Sequence, residues 1–219
     1  DLHSFPTRRS SDLMDGSTGR RKPPIIMGHE ASGVIEELGP GVSGWNVGDR
    51  VTFDSTIYPL DDWFTRKGRY NLSDNRKVLG VSPGEYRKHG AFAGFVTVPQ
   101  HILYKIPDGV SFEQAAMVEP VAVAAHAVNI SKIQPGQSAV VVGAGMVGMF
   151  VLAMLKIAGA NPIIAIDLDE NKLKLAVEFG ATHTINSTDE ILHEKIRQLT
   201  KNRGADFGFE VVGIQETFS

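Results

Sequence analysis

SAVVVGAGMVG, residues 138–148 of this 219-residue chain, is the stretch that decides the fold. The apolar run in residues 139–142 is short and unbroken, which is typical of a strand covered on both faces. Gly143, Gly145 and Gly148 follow it directly. The first glycine suits a tight turn, the second lets backbone approach a pyrophosphate, and the third lets a helix pack closely on the strand. The N-terminus of the following helix, with Met146 and Val147 in its first turn, would offer N–H groups to phosphates. The stretch therefore predicts a dinucleotide-binding strand–turn–helix unit.

Downstream of this unit, short apolar strands alternate with helical segments of about ten residues. The strand candidates are residues 162–167, 182–186 and 205–212, and the helix candidates are residues 170–179, ended by Gly180, and residues 187–200, opened by a capping box from Ser187 to Glu190. Such alternation predicts βαβ units and a parallel sheet. We therefore expect a doubly wound (Rossmann) domain over residues 135–219, and we expect its sheet to be incomplete at Ser219.

An acidic residue ends the second predicted strand of this domain. Asp167 lies 19 positions after Gly148, where a carboxylate accepts hydrogen bonds from the ribose hydroxyls of an adenosine. The same charge would repel a 2′-phosphate, and Leu168 beside it offers no positive partner for one. The sequence therefore favours NAD over NADP, although glycines that serve only packing and an aspartate that caps a loop would give the same pattern.

Upstream of the dinucleotide-binding unit, apolar and polar residues alternate and glycine-rich turns separate the runs, which is typical of β structure. Strand signals occupy residues 31–38, 51–53, 91–98 and 102–106, and residues 54–80 form a polar, irregular lobe. Ser111 to Gln114 has the form of a capping box that opens a helix interrupted near Pro120. The stretch from Ile133 to Gln137 resembles a linker, so we expect a first, mostly β domain over residues 14–134.

The first thirteen residues, DLHSFPTRRSSDL, show neither helical nor strand periodicity. They resemble the in-frame translation of a DNA-sequencing library adapter at every position. We interpret residues 1–13 as an artefact, exclude them from the fold, and expect the native N-terminus to be missing.

The composition excludes several functional classes. The formal net charge is −3, which gives no basic excess to attract nucleic acid or anionic lipid. No apolar run is long enough for a membrane span. The chain has no cysteine, so it holds no disulfide and no thiolate metal ligand. We expect a cytoplasmic protein without nucleic-acid or membrane partners.

A histidine motif lies near the start of the β region. Gly28, His29 and Glu30 open the run GHEASGVIEELGPGV, and a lone histidine of this kind is more often structural than a ligand. The whole run, however, resembles the signature of zinc-dependent alcohol dehydrogenases. The likeness extends to GDRV at 48–51, GAFAGFVTVP at 90–99 and MVEPVAVAAHAV at 117–128. The chain thus resembles the medium-chain dehydrogenase family, closest to its sorbitol, iditol and butanediol branch.

The resemblance implies a GroES-like catalytic domain before the Rossmann domain, with one catalytic zinc. It implies that His29, Glu30 and Glu119 are the catalytic and metal-site residues of this chain. His29 would be a zinc ligand, Glu30 a second ligand or a carboxylate beside the ligands, and Glu119 would reach the metal directly or through its water. The remaining ligand that it implies is a cysteine upstream of the GHE motif, which this chain does not contain. It implies hydride transfer between a secondary alcohol or polyol and NAD, with Val123 and Val147 near the nicotinamide. It also implies a homo-oligomer, a dimer or tetramer, for the complete protein, and an inactive 219-residue chain.

Many proteins of this family carry a second, structural zinc held by four cysteines in the lobe. Here the matching positions are Pro59, Asp62, Thr65 and Ser73. Proline has no donor, and hydroxyls are poor zinc ligands, so we expect no structural zinc. Trp63, Phe64 and Tyr70 are candidates to hold the lobe by packing instead.

Two other functions stay open at this point. One is a zinc-free reductase of enones or quinones within the same family, against which His29, Glu30 and Glu119 argue together. The other is a non-catalytic NAD-binding protein on the same fold.

Overall fold

The computed structural model describes residues 24–81, 88–214 and 217. The chain divides into two compact units, the first ending at Glu119 and the second beginning at Pro120. The interpretation of residues 1–13 as an artefact lies outside the described residues. The predicted linker at residues 133–137 stays a prediction, although the division between compact units falls earlier in the chain.

The first unit is built around a small antiparallel sheet. Its strands are β1 (Ser32–Val34), β2 (Arg50–Phe53) and β5 (Leu103–Lys105), in the order β1-β2-β5. A separate two-stranded sheet joins β3 (Thr56–Ile57) to β4 (Lys77–Val78). Between β3 and β4 lie two short 3-10 helices, Thr65–Lys67 and Tyr70–Leu72, and a third precedes β5 at Gln100–Ile102.

The strand predicted at residues 91–98 is wrong. Its apolar alternation does not reflect one buried face, because Phe92 and Phe95 are 74% and 80% exposed. Instead of entering a ladder, the backbone from Gly90 to Phe92 donates hydrogen bonds to the carbonyls of residues 26–28.

Two helices follow the last strand of the first unit in the sequence. Helix α1 (Phe112–Ala116) begins with the predicted capping box, in which Ser111 and Gln114 exchange hydrogen bonds. Met117 separates it from α2 (Val118–Ser131), so the predicted interruption is confirmed just before Pro120. Pro120 stands in the first turn of α2, where a missing N–H costs no intrahelical hydrogen bond.

The second unit is the predicted parallel sheet with helices. Strands β6 (Ala139–Val142), β7 (Ile163–Asp167), β8 (His183–Asn186) and β9 (Phe207–Glu210) pair in the order β8-β7-β6-β9. Helices α3 (Met146–Ile157), α4 (Glu170–Glu178) and α5 (Leu192–Leu199) connect them. This order reverses direction at β6, which is typical of doubly wound sheets.

Both faces of this sheet are covered, as the unbroken apolar strands predict. One face carries Val141, Ile163 and Ala165 against Leu152 and Leu155 of α3, all at most 1% exposed. The other carries Val140, Ile164, Ile166 and Ile185 with Leu192 and Ile196 of α5.

The capping box predicted at Ser187–Glu190 is wrong. Helix α5 starts at Leu192 after Ile191, which makes no side-chain cap. Asp189 stabilises the start of α5 instead. Its carboxylate accepts a hydrogen bond from the Ile191 N–H and pairs with the Lys195 ammonium. Within the described residues, no helix is both long and apolar enough to cross a membrane.

Candidate metal and dinucleotide sites

Three predicted site residues come together in the first unit. His29 and Glu30 precede β1, and Glu119 lies in the first turn of α2. The His29 Nε2 atom is 3.9 Å from a carboxylate oxygen of Glu30 and 3.9 Å from one of Glu119. The ligand atoms of all three residues lie within 4.8 Å of one another.

This cluster fits a zinc ion with an open position. A tetrahedral zinc with bonds of about 2.1 Å places its ligand atoms about 3.4 Å apart. The two pairs that include His29 are about 0.5 Å wider than that spacing. One imidazole and two carboxylates are donors that zinc accepts, and three protein ligands leave a fourth position for a small molecule. Among the described residues, no other group of three histidine or acidic side chains converges in this way.

The electrostatics of the cluster also suit a cation. Burial raises the pKa of Glu119, and the neighbouring carboxylates of Glu30 and Asp54 raise it further, while His29 opposes them. The charged form of Glu119 is therefore disfavoured by its surroundings. A positive ion among these groups would remove that penalty.

Asp54 is a member of these surroundings that the sequence analysis missed. It follows β2, where its Oδ1 accepts from the Thr56 N–H at 2.8 Å. The Tyr70 side chain hydrogen-bonds to Asp54, and burial together with this carboxylate raises the pKa of Tyr70 to about 12. The Tyr70 ring stacks on Tyr58 with ring centres 4.3 Å apart, and Tyr58 meets His101 edge-on. No local pattern in the sequence marks this chain of contacts.

In the lobe, Tyr70 packs as predicted, whereas Trp63 is 62% exposed. Besides the Tyr58–Tyr70 stack, the rings of Trp63 and Phe64 meet edge-on at 4.8 Å, and the Lys67 ammonium lies 3.9 Å from the centre of the Trp63 ring. Among the positions that match structural-zinc cysteines, Asp62 makes other contacts. Asp62 Oδ1 accepts from the N–H groups of Phe64 and Thr65. Ser73 is fully buried.

In the second unit, the three glycines of the predicted fingerprint differ in their surroundings. Gly143 has φ +101°, which the tight turn needs. A Cβ on Gly148 would lie 1.9 Å from the Gly143 carbonyl oxygen, so only glycine allows this helix–strand approach. A Cβ on Gly145 would meet nothing within 4 Å. Gly145 also begins α3 without a side-chain cap, so the loop has room for a ligand at the helix N-terminus.

Asp167 lies at the end of β7, beside this loop. Its Oδ2 accepts from the Ala144 N–H at 2.7 Å, and its Oδ1 accepts from the Asp169 N–H at 3.0 Å. A carboxylate has about four acceptor positions, so these two contacts leave capacity for ribose hydroxyls. Asp167 thus holds the loop and remains able to receive a ligand.

Val123 and Val147, predicted near the nicotinamide, line one apolar groove of the second unit. The groove has a volume of about 610 Å³ and lies between α2, α3 and β9. Glu210 contributes the charged side chain of its lining.

Two family models match the chain and leave a gap between them. The alcohol dehydrogenase GroES-like domain matches residues 7–108, and the zinc-binding dehydrogenase domain matches residues 146–219. The chain belongs to the zinc-binding alcohol dehydrogenase family. The first match begins inside the segment that we interpret as an artefact, and that interpretation stays a prediction.

Individual members of this dehydrogenase family resemble the chain over most of its length. Sorbitol dehydrogenase of Bacillus subtilis is 36% identical over 97% of the chain and 58% of its own length. (R,R)-butanediol dehydrogenase of the same organism is 40% identical over 87% of the chain and 53% of its own length. Among solved structures, a Sinorhizobium meliloti 1021 protein bound to NADP is 29% identical, with a TM-score of 0.85 over 96% of the chain and 60% of that protein. The chain thus spans a little over half the length of these dehydrogenases.

Proposed function

We propose that the whole protein is a zinc-dependent dehydrogenase that transfers hydride between a secondary alcohol or polyol and NAD. The cluster of His29, Glu30 and Glu119 carries this proposal, because its donors and spacing suit a catalytic zinc with an open position. The names of the similar proteins, sorbitol dehydrogenase and butanediol dehydrogenase, point to polyols and vicinal diols as the substrate class.

In the proposed site, His29 Nε2 and the carboxylates of Glu30 and Glu119 would hold the metal. A bound zinc supplies Lewis acidity, which lowers the pKa of an alcohol oxygen toward neutrality. The chain's own part is to fix the donors. Glu119 lies on a helix, which fixes its position. Its burial disfavours the negative charge of its carboxylate, and a bound cation would offset this cost. His29 and Glu30 are adjacent in the chain and present their side chains to the same point.

For the dinucleotide, the open space at Gly145 and the N-terminus of α3 would receive the pyrophosphate. Asp167 would bind the adenosine ribose and repel a 2′-phosphate. The NADP-bound relative shows that this fold also serves the phosphorylated cofactor elsewhere, so NAD preference rests on Asp167 alone.

The test is an assay of the whole protein with zinc, NAD and a panel of sorbitol, xylitol, 2,3-butanediol and 2-propanol. We expect NADH formation with at least one polyol or secondary alcohol, and its loss on His29→Ala. Glu113→Gln, an exposed carboxylate on α1, is the matched control and should keep full activity.

Other outcomes separate the rival functions. Reduction of enones or quinones without metal, unaffected by His29→Ala, would replace the proposal with a zinc-free reductase. NADH binding without turnover of any substrate class would indicate a non-catalytic protein. Cytoplasmic location and a dimeric or tetrameric assembly stay predictions.

A further inference from the structure

Gly28, the residue before His29 of the metal cluster, packs closely against Phe92. It has φ +98°, a left-handed conformation that favours glycine. A Cβ placed on Gly28 would lie 2.7 Å from the Phe92 ring and 2.8 Å from the Phe92 nitrogen. A side chain at this position is therefore excluded by its surroundings as well as by its conformation.

Two further glycines, far away in the sequence, close on the same residue. A Cβ on Gly80 would lie 2.6 Å from the Gly28 nitrogen, and one on Gly90 would lie 2.2 Å from the Gly28 carbonyl oxygen. Both contacts are with backbone, which cannot rotate away like a side chain. We call Gly28, Gly80 and Gly90 the glycine clamp.

Hydrogen bonds tie the clamp together. The Gly90 N–H donates to the Ile26 carbonyl at 2.7 Å, and the Ala91 N–H donates to the Gly28 carbonyl at 2.9 Å. The Phe92 N–H donates to the Met27 carbonyl at 2.9 Å. The three carbonyls before His29 thus all accept hydrogen bonds from the backbone of residues 90–92.

We propose that Gly80 and Gly90 are positioning residues for the metal cluster. Because they have no side chains, their backbone packs directly on Gly28 and fixes its position, and this orients His29 and Glu30. This inference rests on the proposed function, since it assigns a purpose to the His29–Glu30–Glu119 cluster. A metal site needs its bond lengths within about 0.2 Å of the ideal. A methyl group at Gly90 would meet the Gly28 oxygen at 2.2 Å, so the backbone before His29 would have to move by more than that tolerance.

The same loop provides a matched control. A Cβ on Gly94 would meet nothing within 4 Å, and Gly94 does not have a positive φ. Gly94→Ala therefore adds the same methyl group to the same segment without touching Gly28.

The experiment titrates the 219-residue protein with Co²⁺ alone and follows the visible absorption bands, which report ligand geometry. We expect Gly80→Ala and Gly90→Ala to weaken Co²⁺ binding by about 10- to 100-fold, as loss of supporting contacts does at metal sites, and to change the band pattern. Gly94→Ala should match the unaltered protein. Circular dichroism and thermal midpoints of the metal-free proteins measure folding separately.

The outcomes are distinct. Equal Co²⁺ affinity and equal spectra in Gly90→Ala and the unaltered protein would overturn the positioning role and leave the proposed function standing. Unfolding of both Gly80→Ala and Gly90→Ala would also overturn it, since the clamp would then be purely structural. Absence of Co²⁺ binding by the unaltered protein would overturn the proposed metal site, and this inference with it.

Discussion

Gly145 is the last residue before α3 and Gly148 lies in the first turn of α3, yet the two differ completely in their tolerance for a methyl group. A Cβ on Gly145 meets open space, whereas one on Gly148 would lie 1.9 Å from the Gly143 oxygen. We predict that Gly145→Ala folds normally but binds NADH at least about tenfold more weakly, because the methyl fills the space proposed for the pyrophosphate. Gly148→Ala should instead lower the free energy of unfolding by about 1–3 kcal/mol or more through overpacking.

NADH fluorescence and urea denaturation of both variants check this pair. Unchanged NADH affinity in Gly145→Ala would contradict the assignment of the loop to a dinucleotide. Unchanged stability in Gly148→Ala would contradict the close helix–strand approach.

Asp167 makes a second prediction at the level of one residue. We expect the protein to bind NADH at least about tenfold more tightly than NADPH, because a carboxylate facing a 2′-phosphate costs more than about 1.4 kcal/mol. Asp167→Asn removes the charge but retains an amide oxygen that accepts the Ala144 N–H, so the preference should shrink while the loop stays in place.

Fluorescence titration with both cofactors measures this preference. Asp169→Asn is the control, because Asp169 caps α4 through the Asn171 N–H and is not assigned to the ribose. Equal affinity of the unaltered protein for NADPH and NADH would refute the assignment.

At the scale of elements, the parallel sheet was predictable and the first unit largely was not. Strands β6 and β7 are apolar at every position that a two-faced sheet must cover, and glycines mark the ends of α3 and α4. These are local signals. The contacts of Gly80 and Gly90 with Gly28, and of Tyr70 with Asp54, join distant parts of the chain and leave no local pattern. Residues 91–98 alternate like a strand, but they pair with no strand among the described residues.

A polar contact ties the residue before β6 to the residue before β9. The Ser138 hydroxyl and N–H both donate to Asp206 Oδ2, at 2.7 and 2.8 Å. These hydrogen bonds lower the pKa of Asp206 below its ordinary value of 3.8. A carboxyl group whose pKa is lower in the folded state adds stability above pH 3.8, and this stability is lost as the pH falls through the folded value.

We therefore predict that Asp206→Asn is less stable than the unaltered protein at pH 7, and that the difference shrinks as the pH falls below 3.8. Urea denaturation at pH 7 and at a series of acidic values measures it. Glu190→Gln, an exposed carboxylate of the same unit, should show no such pH-dependent difference. A constant difference at every pH would mean that charge at Asp206 is not what holds the strands.

At the scale of the whole molecule, one cluster among the described residues could hold a metal ion, whereas many members of the family are expected to have two metal sites. The sequence resemblance marked the region of the catalytic site and the lobe of the structural site, because each region contains a motif within one short stretch of the sequence. The closeness of Glu119 to His29, which are far apart in the sequence, came from the resemblance alone, because no local pattern marks it.

We predict that the purified protein holds one zinc per chain. The His29–Glu30–Glu119 cluster supplies three donors that converge within 4.8 Å. The lobe supplies no comparable set: Pro59 has no donor, and the Asp62 carboxylate already accepts from the Phe64 and Thr65 N–H groups. Hydroxyls such as that of Ser73 are poor zinc ligands, and Ser73 is fully buried.

Metal analysis after dialysis against metal-free buffer, on the unaltered protein and two variants, tests this count. His29→Ala should retain less than a tenth of the zinc, because two carboxylates without the imidazole leave the ion weakly held and about 1.4 kcal/mol of lost binding is already a tenfold loss of affinity. Asp62→Asn keeps an oxygen acceptor for the two N–H groups and removes the one acidic side chain among the four positions that match the cysteines, so its zinc content should be unchanged. Two tightly held zinc ions per chain, with one lost on Asp62→Asn, would place a second metal in the lobe. A single zinc that survives His29→Ala would show that the cluster is not where the metal binds.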